Sequence, residues 1–328
     1  MPADSSELRS ARSGWLRAVR LETAFAWWSR YFAWVLLVGL AAGILSVTSL
    51  NQAALTEIGV FQDTAAEARA DGVDVDAELR APLHVQVDGD STTVDNPVRY
   101  DYERARDALG LLRPAGYAAN AAQFVGFLLS PLVAFGAGLT LSLKDFRHRT
   151  IRLRAIRFRL GQIESAYTLT AALLGIATAV AAIATALVVG PLTPRPTKPG
   201  ISLAVFEPIP DAAGLGGAAA WASFAVASSF FFAACGVSVG VITRALIAPM
   251  AVFTAFHLVV PILGPWDPRA MIQSVGAALH PINGTLYLRP PSGALPPAWS
   301  LALLAAQALA LLLLARIALA ARPRWGAP

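Results

Sequence analysis

Six apolar stretches divide the chain, at residues 31–50, 119–143, 167–189, 217–243, 245–263 and 298–320. None of them contains Asp or Glu, and Arg244 and Arg316 are the only basic residues at their edges. Each comes close to the ~20 residues that a helix needs to cross about 30 Å of hydrocarbon. A spanning segment must satisfy its own backbone hydrogen bonds, so the pattern predicts helices. The expected fold is an all-α integral membrane protein with six transmembrane helices.

The polar intervals carry their own patterns. In residues 1–30, at 100° per residue, Arg9, Arg12, Arg17 and Arg20 share an arc of about 140°, with Leu8, Ala11, Trp15, Val19 and Phe25 opposite. Such a helix is expected to lie in the headgroup layer, its apolar face in the acyl boundary and Trp27 and Trp28 at the interface. Residues 51–118 predict a small α+β segment. There His84–Val87 alternates, Asp88-Gly89-Asp90 is a turn signal, and 99–112 is an amphipathic helix carrying Tyr102, Ala105 and Leu109 on one face. The interval 190–216 reads as an irregular Pro- and Gly-rich loop. In 264–297, the apolar run 270–279 predicts a short, partly embedded helix broken off by prolines. Pro131 and Pro249 are expected to interrupt their spans.

Charge then orients the chain. Arg9, Arg12, Arg17, Arg20 and Arg30 precede the first span; Lys144, Arg147, Arg149, Arg152, Arg154, Arg157 and Arg159 fill 144–166; Arg322 and Arg324 lie in the tail 321–328. Six crossings put these intervals on one face, which the positive-inside rule makes cytoplasmic. Residues 51–118 hold 13 carboxylates against six arginines and fall outside. The net charge of +5 is therefore topological and not a nucleic-acid footprint. The localisation expected is a multi-pass cell-membrane protein with N- and C-termini in the cytoplasm. The first apolar run is too long for a cleavable signal. With Lys144 and Lys198 the only lysines, the arginine bias fits a GC-rich bacterial genome and hence a bacterial inner membrane.

Several chemistries are weighed and set aside. Gly236-Val-Ser-Val-Gly240 matches the G-x-S-x-G pattern, and His257 follows one span later, which raises an intramembrane serine protease using Ser238 and His257 as the alternative function. A nucleophile elbow needs a strained strand-to-helix turn, whereas this match sits in a continuous apolar helix. The histidines His84, His148, His257 and His280 are scattered, so no metal is expected. No span carries a carboxylate to bind a driving proton. Neither lysine lies in a Walker loop, since Lys144 precedes Asp145 and Lys198 precedes Pro199, so no catalytic residue and no cofactor are expected in this chain. An energy source must come from a partner that grips a cytoplasmic handle, and 144–166, where cations alternate with Ile151, Leu153, Ile156 and Phe158, is that handle.

At Asp145-Phe-Arg-His-Arg-Thr150 the chain resembles the permease subunits of ABC-2 type exporters. The likeness covers nearly the whole length: an interfacial N-terminal helix, six spans, an enlarged external segment after the first, a basic loop between the second and third, and a helical element before the last. In that family the loop begins with an acidic residue followed by Gly-Thr; here Asp145 and Thr150 match and Arg149 stands where Gly is usual. The resemblance implies no enzymatic activity in this chain. It implies a partner ABC ATPase that binds ATP and Mg, a second permease copy or paralogue, and substrate moving outward along their seam. It also implies an ATPase-coupling segment of Asp145, Phe146, Arg147, Arg149, Thr150 and Arg152, with Phe146 filling an apolar groove of the partner.

Overall fold

Five helices of the computed structural model are long and apolar enough to cross a membrane, as a multi-pass all-helical protein requires. Residues 5–88, 91–148, 150–258, 266–279, 286 and 293–320 are described. In chain order these are α1 (Ser5–Trp28), α2 (Tyr31–Ala70), α3 (Val75–Arg80), strands β1 (Val85–Asp88) and β2 (Ser91–Val94), α4 (Pro97–Gly110), α5 (Pro114–Phe124), α6 (Ser130–Arg147), α7 (Ile151–Arg157), α8 (Leu160–Leu192), α9 (Gly214–Thr243), α10 (Ile247–Leu258), α11 (Pro268–Leu279) and α12 (Pro297–Ala320). The long apolar ones are α2, α5 joined to α6, α8, α9 and α12.

The first helix does not stop at residue 50. It runs 40 residues to Ala70, about 60 Å at 1.5 Å per residue, twice the hydrocarbon thickness. Nothing in 51–70 breaks a helix. Asn51 sits buried inside it, donating from Nδ2 to the Val47 carbonyl at 2.9 Å. The stop comes at Asp71-Gly72, where Gly72 takes a φ of +79°. Around this polar extension β1 and β2 pair antiparallel, Val85 against Val94 and Asp88 against Ser91. His84 and Asp95 close the open end, with Nδ1 and Oδ2 2.9 Å apart. Asn96 caps α4 by accepting from the Arg99 amide at 2.9 Å. A small core of Ile58, Phe61, Val75, Val98, Leu109 and Phe206 joins these pieces.

The fifth apolar stretch is shorter than its sequence pattern. α10 covers 12 residues, about 18 Å, and 259–263 lie outside the described residues, as does the tail 321–328. Pro249 falls in the first turn of α10, where its missing N–H is harmless, so it makes no kink. Pro131 behaves as expected: it follows directly on a π-helical turn, Val125–Leu129, between α5 and α6. Pro131 cannot donate to the Phe127 carbonyl. The His257 ring packs beside the Phe127 ring, centroids 6.4 Å apart, and Ser228 Oγ donates to the Gly126 carbonyl at 2.9 Å. The hydroxyl of one other helix thus attends the backbone of the irregular turn.

Small residues set how closely the spans approach. A Cβ on Gly39 or Gly43 would stand 2.5 or 2.6 Å from the Thr178 or Ala182 carbonyl of α8. One on Gly138 would meet the Ala233 carbonyl at 2.7 Å, and one on Gly236 the Phe135 carbonyl at 2.2 Å. The four-residue glycine spacings are therefore seams within one subunit, α2 on α8 and α6 on α9. By contrast Gly216, in the first turn of α9, has nothing within 4 Å. Gly236→Ala is expected to destabilise by about 1–3 kcal/mol because backbone must shift, whereas Gly216→Ala is expected to stabilise by up to about 1 kcal/mol. Thermal unfolding in detergent checks both; shifts of the same sign would contradict this packing.

Candidate functional site

The end of α6, the turn after it and the start of α7 are tied by one carboxylate. Asp145 lies in the last turn of α6, and its carbonyl accepts from the Thr150 amide at 2.9 Å. Its Oδ1 accepts from Thr150 Oγ1 at 2.8 Å, and its Oδ2 accepts from Arg154 Nη1 at 2.7 Å and from the Tyr167 hydroxyl of α8. Thr150 is the N-terminal boundary residue of α7 and spends its hydroxyl on Asp145 rather than on the helix amides. Asp145 is only 5% exposed. A buried carboxylate is tolerated when its lone pairs are taken by charged or hydroxyl donors, as they are here.

A second carboxylate closes the cluster. Glu22 of α1, 1% exposed, pairs with both Lys144 and Arg154. Lys144 Nζ also lies 3.8 Å above the Phe25 ring, and Arg154 Nη1 donates to the Tyr167 hydroxyl at 3.3 Å. Burial opposes the charge on Arg154, yet Glu22, Tyr167 and Asp145 hold its guanidinium above the ordinary arginine value. Two anions meet two cations, so the network is neutral and α1, α6, α7 and α8 are locked at one point. Nearby, Arg316 Nε of α12 lies 3.3 Å from Glu164 Oε2 of α8, and Glu164 is 3% exposed.

The residues expected to couple to a partner separate into several kinds. Asp145 and Thr150 are inside this network. Phe146 is half-buried within this chain: it packs with Val241, Ala315 and Leu160, and the Arg244 guanidinium carbon sits 4.9 Å from its ring centre. The geometric reason is helical phase, because Phe146 shares the side of α6 that meets α9. Arg147 is exposed, Arg149 lies outside the described residues, and Arg152 is in α7 with its side chain outside them.

The interfacial helix also has a face that its amphipathic pattern missed. Trp15 Nε1 donates to Ser165 Oγ at 3.0 Å, and Gly14 lies against Gln162, so this face of α1 docks on α8. Ala18, Glu22 and Ala26 continue that buried stripe. Arg17 and Arg20 are exposed, as are Trp27 and Trp28 at 66% and 83%; the Arg9 and Arg12 side chains lie outside the described ones. One signal was present in the sequence. At 100° per residue Glu22 falls within the apolar arc of Ala11, Trp15 and Val19, a carboxylate where only a buried cation could be its reason. Arg154, Tyr167, Glu164 and Arg316 carried no such mark.

The alternative catalytic pair is not assembled as an elbow. Ser238 is fully buried within the regular helix α9, on the side opposite the one that carries Gly236 and Gly240 into the α6 seam. His257 packs against Phe127, Phe232 and Phe253, the last stacked at 5.5 Å. Phe232 is six residues from Ser238, about 9 Å along the helix axis. Among the described residues no cluster of three or more metal-ligating side chains occurs.

Comparisons of the chain with protein-family models, with curated proteins and with solved structures find no match.

The cluster's chemistry is therefore mechanical: it fastens an interfacial helix and a short loop helix to the same spanning helices. Glu22→Gln leaves two cations short of an anion and is expected to cost about 3 kcal/mol, the scale of a broken buried pair. Adding Arg154→Gln is expected to cost less than the sum of the single changes by at least about 1 kcal/mol. Denaturant titration of the purified protein measures this coupling. Additivity as complete as for Glu22→Gln with the exposed Arg17→Gln would contradict the network.

Proposed function

We propose that the chain is the membrane-spanning permease subunit of an ATP-binding-cassette exporter of the ABC-2 type. In this reading it crosses the bilayer six times, α10 and the residues after it forming the fifth crossing. Both termini and α7 face the cytoplasm, and residues 51–118 face outward. A separate ATPase subunit supplies ATP and Mg, and substrate moves along a seam between two permease copies or paralogues.

The observation that carries the reading is the presentation of α7. This helix has seven residues, too few to be stable alone. Its order comes from behind, from Ile151 in the core and from Thr150 and Arg154 in the ion cluster. Its outward face leaves Leu153 65% and Ile156 82% exposed beside an exposed Arg157. A rigidly held helix between the second and third long apolar helices, offering two bare aliphatic side chains within a basic rim, suits a protein partner. Leu153 and Ile156 take the anchoring role, Asp145 and Thr150 orient the helix, and the exposed Arg147 and Arg157 supply the basic rim. The cluster then passes a push on α7 to α8 directly and to α1 through Glu22.

The test is reconstitution with the cognate ATPase in liposomes. Replacing Leu153 and Ile156 together by Asp should weaken assembly and ATP-driven export at least tenfold, as loss of central interface anchors does. Thermal stability of the isolated chain should stay unchanged, because both side chains are exposed. Phe146→Ala should show the opposite profile, lower stability with assembly retained. Undiminished co-purification and export by the Leu153/Ile156 double variant would contradict the assignment.

A further inference from the structure

The far ends of α5 and α8 carry a cavity that neither the ion cluster nor α7 uses. It lies at the N-terminal end of the α5–α6 rod, about 45 Å along the axis from Lys144 at 1.5 Å per residue. Its volume is about 600 Å³. Leu109 and Leu112 of α4 and the turn after it, with Leu203 and Ile209, give it aliphatic walls. Arg113 and Arg195 bring two guanidinium groups to it, and Glu207 brings one carboxylate. Among the described residues no carboxylate, Glu207 included, forms an ion pair with either arginine.

The wall is built rather than loose. Arg106 donates from Nε and Nη2 to the Pro208 carbonyl at 2.9 and 2.6 Å, and Arg113 donates from Nη2 to the Ile209 carbonyl at 2.7 Å. Phe206, fully buried, fixes the same segment by lying 5.5 Å from both Phe61 and Tyr102. Arg113 spends one nitrogen on this wall, and a guanidinium has five N–H donors, so donors remain for a ligand.

We propose that this cavity binds an anionic amphiphile: a phosphate or carboxylate head on a single short hydrocarbon chain. Arg113 and Arg195 recognise the head as charge-assisted donors, and the aliphatic walls take the chain. The volume falls in the range of sites that enclose one small ligand, and two cations against one anion leave the mouth positive. Glu207 weakens the site and tunes it toward release. The site does not depend on the exporter reading.

Binding of octyl phosphate to the full chain in phosphatidylcholine nanodiscs tests the proposal by calorimetry. Octyl phosphate should bind saturably, and Arg195→Gln should weaken it about tenfold, the scale of one charge-assisted contact. Glu207→Gln should tighten it severalfold, a gain that misfolding does not imitate. Octyltrimethylammonium and inorganic phosphate should bind at least tenfold more weakly than octyl phosphate. In nanodiscs containing phosphatidylglycerol, undiminished octyl phosphate binding would show that the site selects the short single-chain amphiphile, and suppression that a two-chained lipid occupies it, which would overturn the proposal. Equal binding of the cationic and anionic probes, inorganic phosphate binding as tightly as octyl phosphate, or no change in either variant would overturn it.

Discussion

The carboxylate of Glu22, held between Lys144 and Arg154, is the contact on which the rest of the structure's function-facing end depends. An isolated ion of this kind could not stay ionised where 1% of the residue is exposed. Its two cations could not be buried without it and Asp145 either. The four charges are thus mutually obligatory, and their positions on α1, α6 and α7 make the obligation structural. Tyr167 extends it into α8 through its hydroxyl bond to Asp145. The short helix α7, which would melt in water, and the N-terminal helix α1 are both fixed to the long apolar helices by the same few atoms.

Beyond that cluster the spans hold together by close approach, with a few polar contacts such as Asn120 on Ser46 and Ser228 on Gly126 added to it. Gly39 and Gly43 bring α2 onto the backbone of α8, and Gly138 and Gly236 bring α6 and α9 together. Apolar faces turned away from these seams, such as Leu36, Leu37 and Leu40 of α2 and Leu309, Leu313 and Ile317 of α12, remain exposed, as lipid-facing surfaces do. In such a medium apolar burial gives little net drive between helices, so fit at the glycines matters more than hydrophobicity. A π-helical turn shortly before Pro131 breaks this regular packing, and the Ser228 hydroxyl attends it while the ring of His257 packs beside Phe127.

Much of the architecture was legible because hydrocarbon imposes a simple rule: residues 31–50, 119–143, 167–189, 217–243 and 298–320 each fall inside a long observed helix. The hairpin at Val85–Val94 was legible from its alternation and turn residues. Helix ends were not. An apolar window marks where hydrocarbon ends, but α2 continues through polar residues that simply lack a stop before Gly72. The site was half legible. Asp145 and Thr150 stood out from the basic loop, yet the packing of Phe146 on Val241, Ala315 and Leu160 did not, because the phase of a helix against its neighbours cannot be read from local spacing. Ion partners 122 and 132 positions apart in sequence, Glu22 with Lys144 and Arg154, are likewise invisible without the fold. Trp15 looked like a lipid anchor because an indole suits an interface equally well when the neighbour is Ser165.

If the cluster locks α1 to α7, the distance between their outer faces should be single-valued. Spin labels at Arg20→Cys and Arg157→Cys, both exposed, placed in a Cys235→Ala background, report that distance in lipid by pulsed electron resonance. The account predicts one narrow distribution in the protein with Glu22 intact, broadening once Glu22→Gln is introduced. A broad or multi-peaked distribution in the protein with Glu22 intact, or no response to Glu22→Gln, would contradict it.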